Sequence, residues 1–317
     1  MAIIGSAKLE FSKKRIVMII TAPPSMGKTT LALSARDPLL LDFDEGVARV
    51  DAAHRKDTSI CKTFDEVRED VKAAKGKYQT IIVDTGGALI DMLKQHIVDH
   101  PAEYKGGAKA SGGISLQGFG FVKQLFLEFS ADLRKNFDVI FIFHENMVRN
   151  GEDGVFYDIV CEGSAKSLVY MPADLAAHLF IQNGQRYLGF TPTEQYNAKS
   201  AYGIKGLIPV PELHDGDKND FLTKLFDQVR SNLAKETAEL APQKKQYDEV
   251  MARAKELLDE VKDLDGVNDF REAFANMPKP LTSEKEVKAM FKEKTKSLGI
   301  VFDRASRQYV YESKAAE

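Results

Sequence analysis

Along the first two-thirds of the chain, short apolar runs rich in β-branched residues alternate with segments of helical period. The first run, Ile16, Val17, Ile19 and Ile20, breaks at Ala22-Pro23-Pro24 and is followed by a helical pattern over 28–35, stopped by Asp37-Pro38. Leu39-Leu40-Leu41 reads as a second strand, and Thr63-Phe64-Asp65-Glu66 as a capping box opening a helix to about Ala74. A strand over 80–85, a helix toward Val98, a helix carrying Phe121, Leu125, Phe129 and Leu133, and a strand over 139–144 follow. Strands around 173–181 and 186–190 then predict an antiparallel extension. Strands alternating with helices predict an α/β domain with a mostly parallel sheet.

Two stretches lack periodicity. Residues 103–118 are Gly-rich, residues 145–164 are polar, and loops of such length in a compact domain are functional or disordered. After residue 210 the character changes to helix. An amphipathic segment covers 218–235 with Leu222, Leu225, Phe226, Val229 and Leu233 on one face. Beyond Pro242 a charged helix spans 243–264, another begins at Ser283, and Ile300-Val301-Phe302 is set to pair with Tyr309-Val310-Tyr311 in a small hairpin. The pattern divides the chain into a core over 1–240 and a mainly helical accessory region over 241–317.

The junction between the first strand and first helix carries the chemistry. Pro24, Ser25, Met26, Gly27, Lys28, Thr29 and Thr30 lie between a β-branched run and a helix, which is the layout of a P-loop. Gly27 lets backbone approach phosphates closely, Lys28 reaches β/γ oxygens, and Thr29 offers a hydroxyl to Mg²⁺. Ala22 stands where such loops usually have their first Gly. Asp84 ends an aliphatic strand, where a carboxylate points into the crevice at the strand ends and can hold Mg²⁺. Asp42, Asp44 and Glu45 place three carboxylates beyond another strand end, any of which could orient a water. His144 closes a further strand, in reach of a γ-phosphate. His96 and His100 are four apart but lack the glutamate of a zinc peptidase, and a solvated helix end is expected there.

Composition narrows the setting. In 317 residues, 44% apolar, the formal net charge is −3, so a nucleic-acid contact must come from a local patch. Cys61 and Cys161 have no metal or redox spacing and suit a reducing cytosol. The first residues show no basic segment leading into an apolar stretch, and no window approaches 18 apolar residues. Neither a leader nor a membrane span is expected, and the expected compartment is cytoplasmic.

Taken in order, these parts resemble the RecA family of recombinase ATPases. Residues 22–30 resemble its phosphate loop, Leu41-Asp42-Phe43-Asp44 the strand whose end carries the catalytic carboxylate, here Asp44, and Ile82-Val83-Asp84-Thr85 its Walker B strand. Phe141-Ile142-Phe143-His144 is similar to the strand whose last polar residue, usually an amide, senses the γ-phosphate. The family's glutamate is here the shorter Asp44. The resemblance covers about residues 10–212 and is nearest to compact bacteriophage RecA-core ATPases, which include single-strand annealing and recombination proteins.

It implies a RecA-like P-loop NTPase core, ATP and Mg²⁺ as ligands, a homo-oligomer or filament, and single-stranded DNA as partner. Residues 104–118 and 146–163 fall where the family keeps mobile DNA-binding loops. The first supplies Tyr104, Lys105 and Lys109, a stacking ring and two cations. The second supplies Arg149 and Lys166 among Glu145, Glu152, Asp153, Asp158 and Glu162, a balance that repels phosphate. Lys199, with Lys205 next, falls where the family presents a cation to the neighbouring subunit's γ-phosphate. A single-strand-binding protein is a candidate partner for residues 241–317. A nucleotide-switched ATPase that does not touch DNA, and a P-loop kinase, are the alternatives.

Overall fold

A computed structural model describes residues 14–60, 62–150, 154–161, 169–214, 216–304 and 306–312, without the side chains of residues 149, 150 and 240. The chain falls into two compact units, Lys14–Asn232 and a second that holds Leu233–Glu317.

The first unit is built on one sheet of nine strands among the described residues. Eight lie in the order β3 (Thr58–Ile60), β2 (Pro38–Asp42), β4 (Thr80–Asp84), β5 (Asp138–Asn150), β1 (Val17–Ala22), β7 (Leu175–Gln182), β8 (Gln185–Gly189) and β9 (Leu207–Val210). The ninth, β6 (Gly154–Ile159), pairs only with the outer half of β5. From β3 to β7 every pairing is parallel, while β8 and β9 add antiparallel strands. β1, β2 and β4 are buried along their whole length, which is why they read as continuous aliphatic runs rather than alternating ones.

Helices α1 (Lys28–Ala32), α2 (Phe64–Ala74), α3 (Gly86–Asp99) and α4 (Leu116–Asn136) connect the strands. Thr63 caps α2 by accepting from Glu66 N at 3.3 Å, and Thr85 caps α3 from Ala88 N at 3.2 Å. The sheet residues Ile19, Leu41, Ile81, Val83, Phe141 and Phe143 pack with Val67, Leu93, Phe126 and Leu133 of the helices in one core. The start of α5 (Phe221–Glu260) is tied to the end of α1: Leu222 N donates to Ser34 Oγ at 2.9 Å and Thr223 Oγ1 to Ser34 O at 2.9 Å.

The polar stretch 145–164 is not a plain loop. β5 runs on to Asn150 and turns back as β6, with Glu145 opposite Ile159 and Val148 opposite Phe156. The pairing is long-range backbone bonding that polar side chains along both strands conceal. β7 also differs from expectation, because it lies parallel against β1 and only β8 and β9 are antiparallel. The segment 103–115 is likewise held locally, with Ser115 N bonded to Gly107 O at 2.8 Å and Ala108 bridging to Ile114.

The second unit has its own core of Ala254, Leu258, Val267, Phe270, Val287, Phe291 and Ile300. Two separate helices were expected around Pro242, but α5 is continuous over 40 residues with Pro242 inside it. Residues 241–243 are exposed, so water can serve the carbonyl that Pro242 leaves without a donor, and strong helix formers flank it. α6 (Leu264–Ala275) and α7 (Ser283–Ser297) follow, then β10 (Ile300–Asp303) and β11 (Gln308–Tyr311) in the anticipated pairing, Val301 opposite Val310.

One close approach fixes the junction of β4 and α3. A Cβ at Gly86 would lie 2.2–2.7 Å from the Phe143 ring, so only glycine lets α3 start against β5. Gly86→Ala should therefore destabilise the protein by about 1–3 kcal/mol in urea unfolding, through overpacking. Unchanged stability would mean the ring gives way freely.

Candidate functional site

The carboxyl ends of β1, β2, β4 and β5 meet at one edge of the sheet. The register sets Asp42 beside Asp84 and Asp84 beside Ile142, while Ala22 lies beside His144. Ala22, at the place of the usual glycine, is fully buried and extended as the last residue of β1, a conformation in which a methyl group costs nothing. Beyond it the loop turns through Pro24 and Ser25, both exposed, with Ser25 at φ 64°. Gly27 (φ 78°, ψ 26°) then enters α1 in the left-handed region that suits glycine.

Lys28 is buried and folds back on its own loop, its Nζ donating to Ala22 O at 3.0 Å and Pro23 O at 2.8 Å. Thr29 Oγ1 donates to Asp84 Oδ2 at 2.5 Å, joining the phosphate loop to the end of β4. A hydroxyl and a carboxylate in contact, both oxygen donors, beside a loop of backbone amides and a lysine, suit a hard divalent cation and a polyphosphate.

Burial strains the charges here. Desolvation raises the Asp84 carboxyl to about 6, Asp44 and Asp42 adding to the rise against the Thr29 hydrogen bond and Lys28. Desolvation also lowers the Lys28 amine to about 8, against the pull of Asp84, Glu145 and Asp44. His144 is pushed below its ordinary value, first by burial and then by Lys28, so its imidazole is neutral at pH 7; its Nδ1 is buried without a hydrogen-bond partner.

The three acids after β2 separate clearly. Asp42 is 1% exposed and accepts from Gly46 N and Val47 N, each at 2.9 Å, so its oxygens hold the turn together. Glu45 is exposed at φ 55° and acts on none of the site's perturbed groups. Asp44 accepts from Gly46 N at 3.1 Å, lies 3.4 Å from Arg49, and is felt by Lys28, Asp84 and His144. Among the three it is the carboxylate that faces the site.

Several other expected residues sit differently. Tyr104 is not an exposed stacking ring: it is buried at 8% and packs edge-on against His96 and Phe121. Lys105 and Lys109 are exposed. Arg149 belongs to β5, but its side chain, like Glu152, Asp153, Glu162, Lys166 and Cys61, lies outside the described residues. Lys199 bridges to Ala176 and its Nζ donates to Ala173 O at 2.5 Å, so its ammonium is anchored within its own chain. Lys205 is exposed. His96 is not a solvated helix end; it is buried against Phe64 and Tyr104, and its ligand atom converges with those of Asp65 and His100 within 4.8 Å.

Glu145, read from sequence as a charge on a polar loop, is 2% exposed beside the equally buried His178. Glu145 Oε2 and His178 Nδ1 are 2.7 Å apart, a close contact without hydrogen-bond alignment. Tyr196 stacks on the His178 ring, at 4.4 Å. Nothing in the local pattern marks this pair, because its members meet only through the β5–β1–β7 order.

The family profile described as an AAA domain matches residues 14–202, the span that holds strands β1 to β8 and all four strand ends. No curated protein matches the chain. The chain belongs to this AAA-domain family of P-loop ATPases. Among the described residues no helix is long and apolar enough to cross a membrane.

The buried charges set the pH response of the nucleotide-free protein. A carboxyl raised from about 3.9 to about 6 binds its proton more tightly folded than unfolded, so stability falls as pH rises through that window. Lys28 acts oppositely at higher pH, its folded amine losing the proton first, so stability rises from about pH 8 to about 10. Asp84→Asn should abolish the acid-side fall and raise stability at pH 7 by about 1–3 kcal/mol in thermal unfolding. A variant as stable as the parent at every pH would rule out the strained carboxylate.

Proposed function

We propose that this AAA-domain protein binds and hydrolyses ATP with Mg²⁺ at the β1, β2, β4 and β5 ends, and uses the cycle to act on single-stranded DNA as an oligomer. The observation that carries the nucleotide part is the contact of Thr29 with Asp84 beside the buried Lys28. In this reading, the amides of 24–30 and Lys28 hold the phosphates, and Thr29 and Asp84 hold the metal. Mg²⁺ would neutralise charge on the β and γ oxygens. Asp44 orients the attacking water, with Arg49 3.4 Å from its carboxylate, and the neutral His144 meets the γ-phosphate. Catalysis then rests on positioning and charge stabilisation rather than a covalent step.

The route from site to DNA is supported by continuity of one strand. β5 carries His144 at the site and, three and four residues on, Met147 and Val148, which are exposed on the arm of a hairpin. A change at His144 is therefore transmitted along backbone to the hairpin. Lys105 and Lys109 offer exposed cations for a phosphate backbone. The resemblance to phage RecA-core proteins extends this to strand annealing or recombination, with residues 241–317 free to recruit a single-strand-binding protein. The burial of Tyr104 favours a second reading, a nucleotide-switched ATPase that does not touch DNA.

Turnover assays with and without single-stranded DNA separate the readings. Lys28→Ala should lower ATP turnover about a hundredfold or more. DNA should bind with a salt dependence that Lys105→Ala/Lys109→Ala reduces by about 1.4 in log–log slope. Absence of both DNA stimulation and salt-dependent binding would leave the second reading, and normal turnover by Lys28→Ala would remove the site assignment altogether.

A further inference from the structure

The phosphate loop has a second cation beside it, on a strand to which the sequence assigned no chemistry. A Cβ built on Gly27 would lie 2.7 Å from Nη1 of Arg186, and this guanidinium nitrogen is the one atom near that face of the glycine. Gly27 is where the loop is stripped of its side chain so that phosphate can come close. The guanidinium thus stands at the space that the glycine keeps open.

Arg186 is positioned there by rigid structure. It lies in β8, opposite Ile181 of β7 and Val210 of β9, and Gln185 Nε2 donates to both Arg186 O (3.0 Å) and Val210 O (2.6 Å). Its Nη2 donates to Pro211 O at 3.2 Å, which orients the fork and leaves Nη1 turned to Gly27. Among the described residues no carboxylate pairs with it. The site meanwhile holds four buried or facing acids, Asp42, Asp44, Asp84 and Glu145, against Lys28 and the exposed Arg49 beside Asp44. Lys199, the cation expected to reach across to a neighbouring copy, is anchored on Ala173 O.

We infer that Arg186 contacts the phosphates of the bound nucleotide within the same chain, at the Gly27 side of the loop. The inference rests on the nucleotide reading given above. A guanidinium remains charged at any working pH and offers several donors in a fixed plane, so it can hold phosphate oxygens without leaving Pro211. Held on a strand, it needs no ordering when nucleotide arrives. The same chain would then supply both cations, and nucleotide binding would not wait for assembly.

Titration of the full chain with a fluorescent ATP analogue tests this, with turnover measured alongside. Arg186→Ala should weaken ATP binding about tenfold or more, and Arg186→Lys should recover part of the loss. Arg186→Gln keeps part of the stem and a polar end but not the charge, and should behave like Arg186→Ala. Melting without nucleotide should match the parent for all three, which separates loss of a phosphate contact from loss of fold. If the parent binds ATP, Lys28→Ala does not, and the alanine and glutamine variants bind as the parent does, this inference alone falls. If the parent itself fails to bind ATP, the nucleotide reading falls first and this one with it.

Discussion

Everything at the functional edge depends on one constraint: ionised groups are held at the ends of strands that have no water along their length. Asp84 finishes a strand whose every residue is buried, and Lys28 begins a helix packed against the same sheet. Desolvation therefore pushes the acid up and the amine down, and neither is relieved by a matched partner, since Lys28 donates to loop carbonyls and Asp84 accepts from a hydroxyl. Such a site is costly when empty of ligand and gains most from a ligand that brings both anionic phosphates and a cation.

The same constraint explains the division of labour among neighbouring acids. Asp42 is deeper than Asp44 and accepts hydrogen bonds from backbone amides of its own turn, which makes it part of the scaffold. Asp44, two residues on, escapes the strand and is free to face the crevice while Gly46 N and Arg49 steady it. Glu145 is buried on β5 next to His178 of β7, a close contact built only by the parallel order of strands β5, β1 and β7. Acids of similar sequence context thus end in three environments, because burial and backbone donors differ over a few ångströms.

Much of the core was legible as pattern. The apolar runs became β1, β2, β4 and the inner half of β5, the capping box at Thr63 became the start of α2, and the terminal hairpin paired as its alternation required. Local signals suffice there, because burial on both faces or a cap writes itself into neighbouring residues. The outer half of β5 with β6, and the short β9, were not legible. Their side chains are mixed and their bonds run to distant backbone. Pro242 misled in the opposite direction, since a breaker in an exposed helix costs one solvated hydrogen bond and not the helix.

By itself the sequence determined the α/β class, the strand–loop–helix layout of 22–30 and the strand-end position of Asp84, whereas His144 lies in the middle of the longer strand β5. Those features are contiguous, and each depends on its immediate neighbours. Only the tertiary structure decided which acid faces the site, that Tyr104 is buried while Lys105 and Lys109 are free, and that Arg186 stands over Gly27. These are properties of strand order and burial, set by groups from a few to more than a hundred residues apart. No local pattern records which of them will meet.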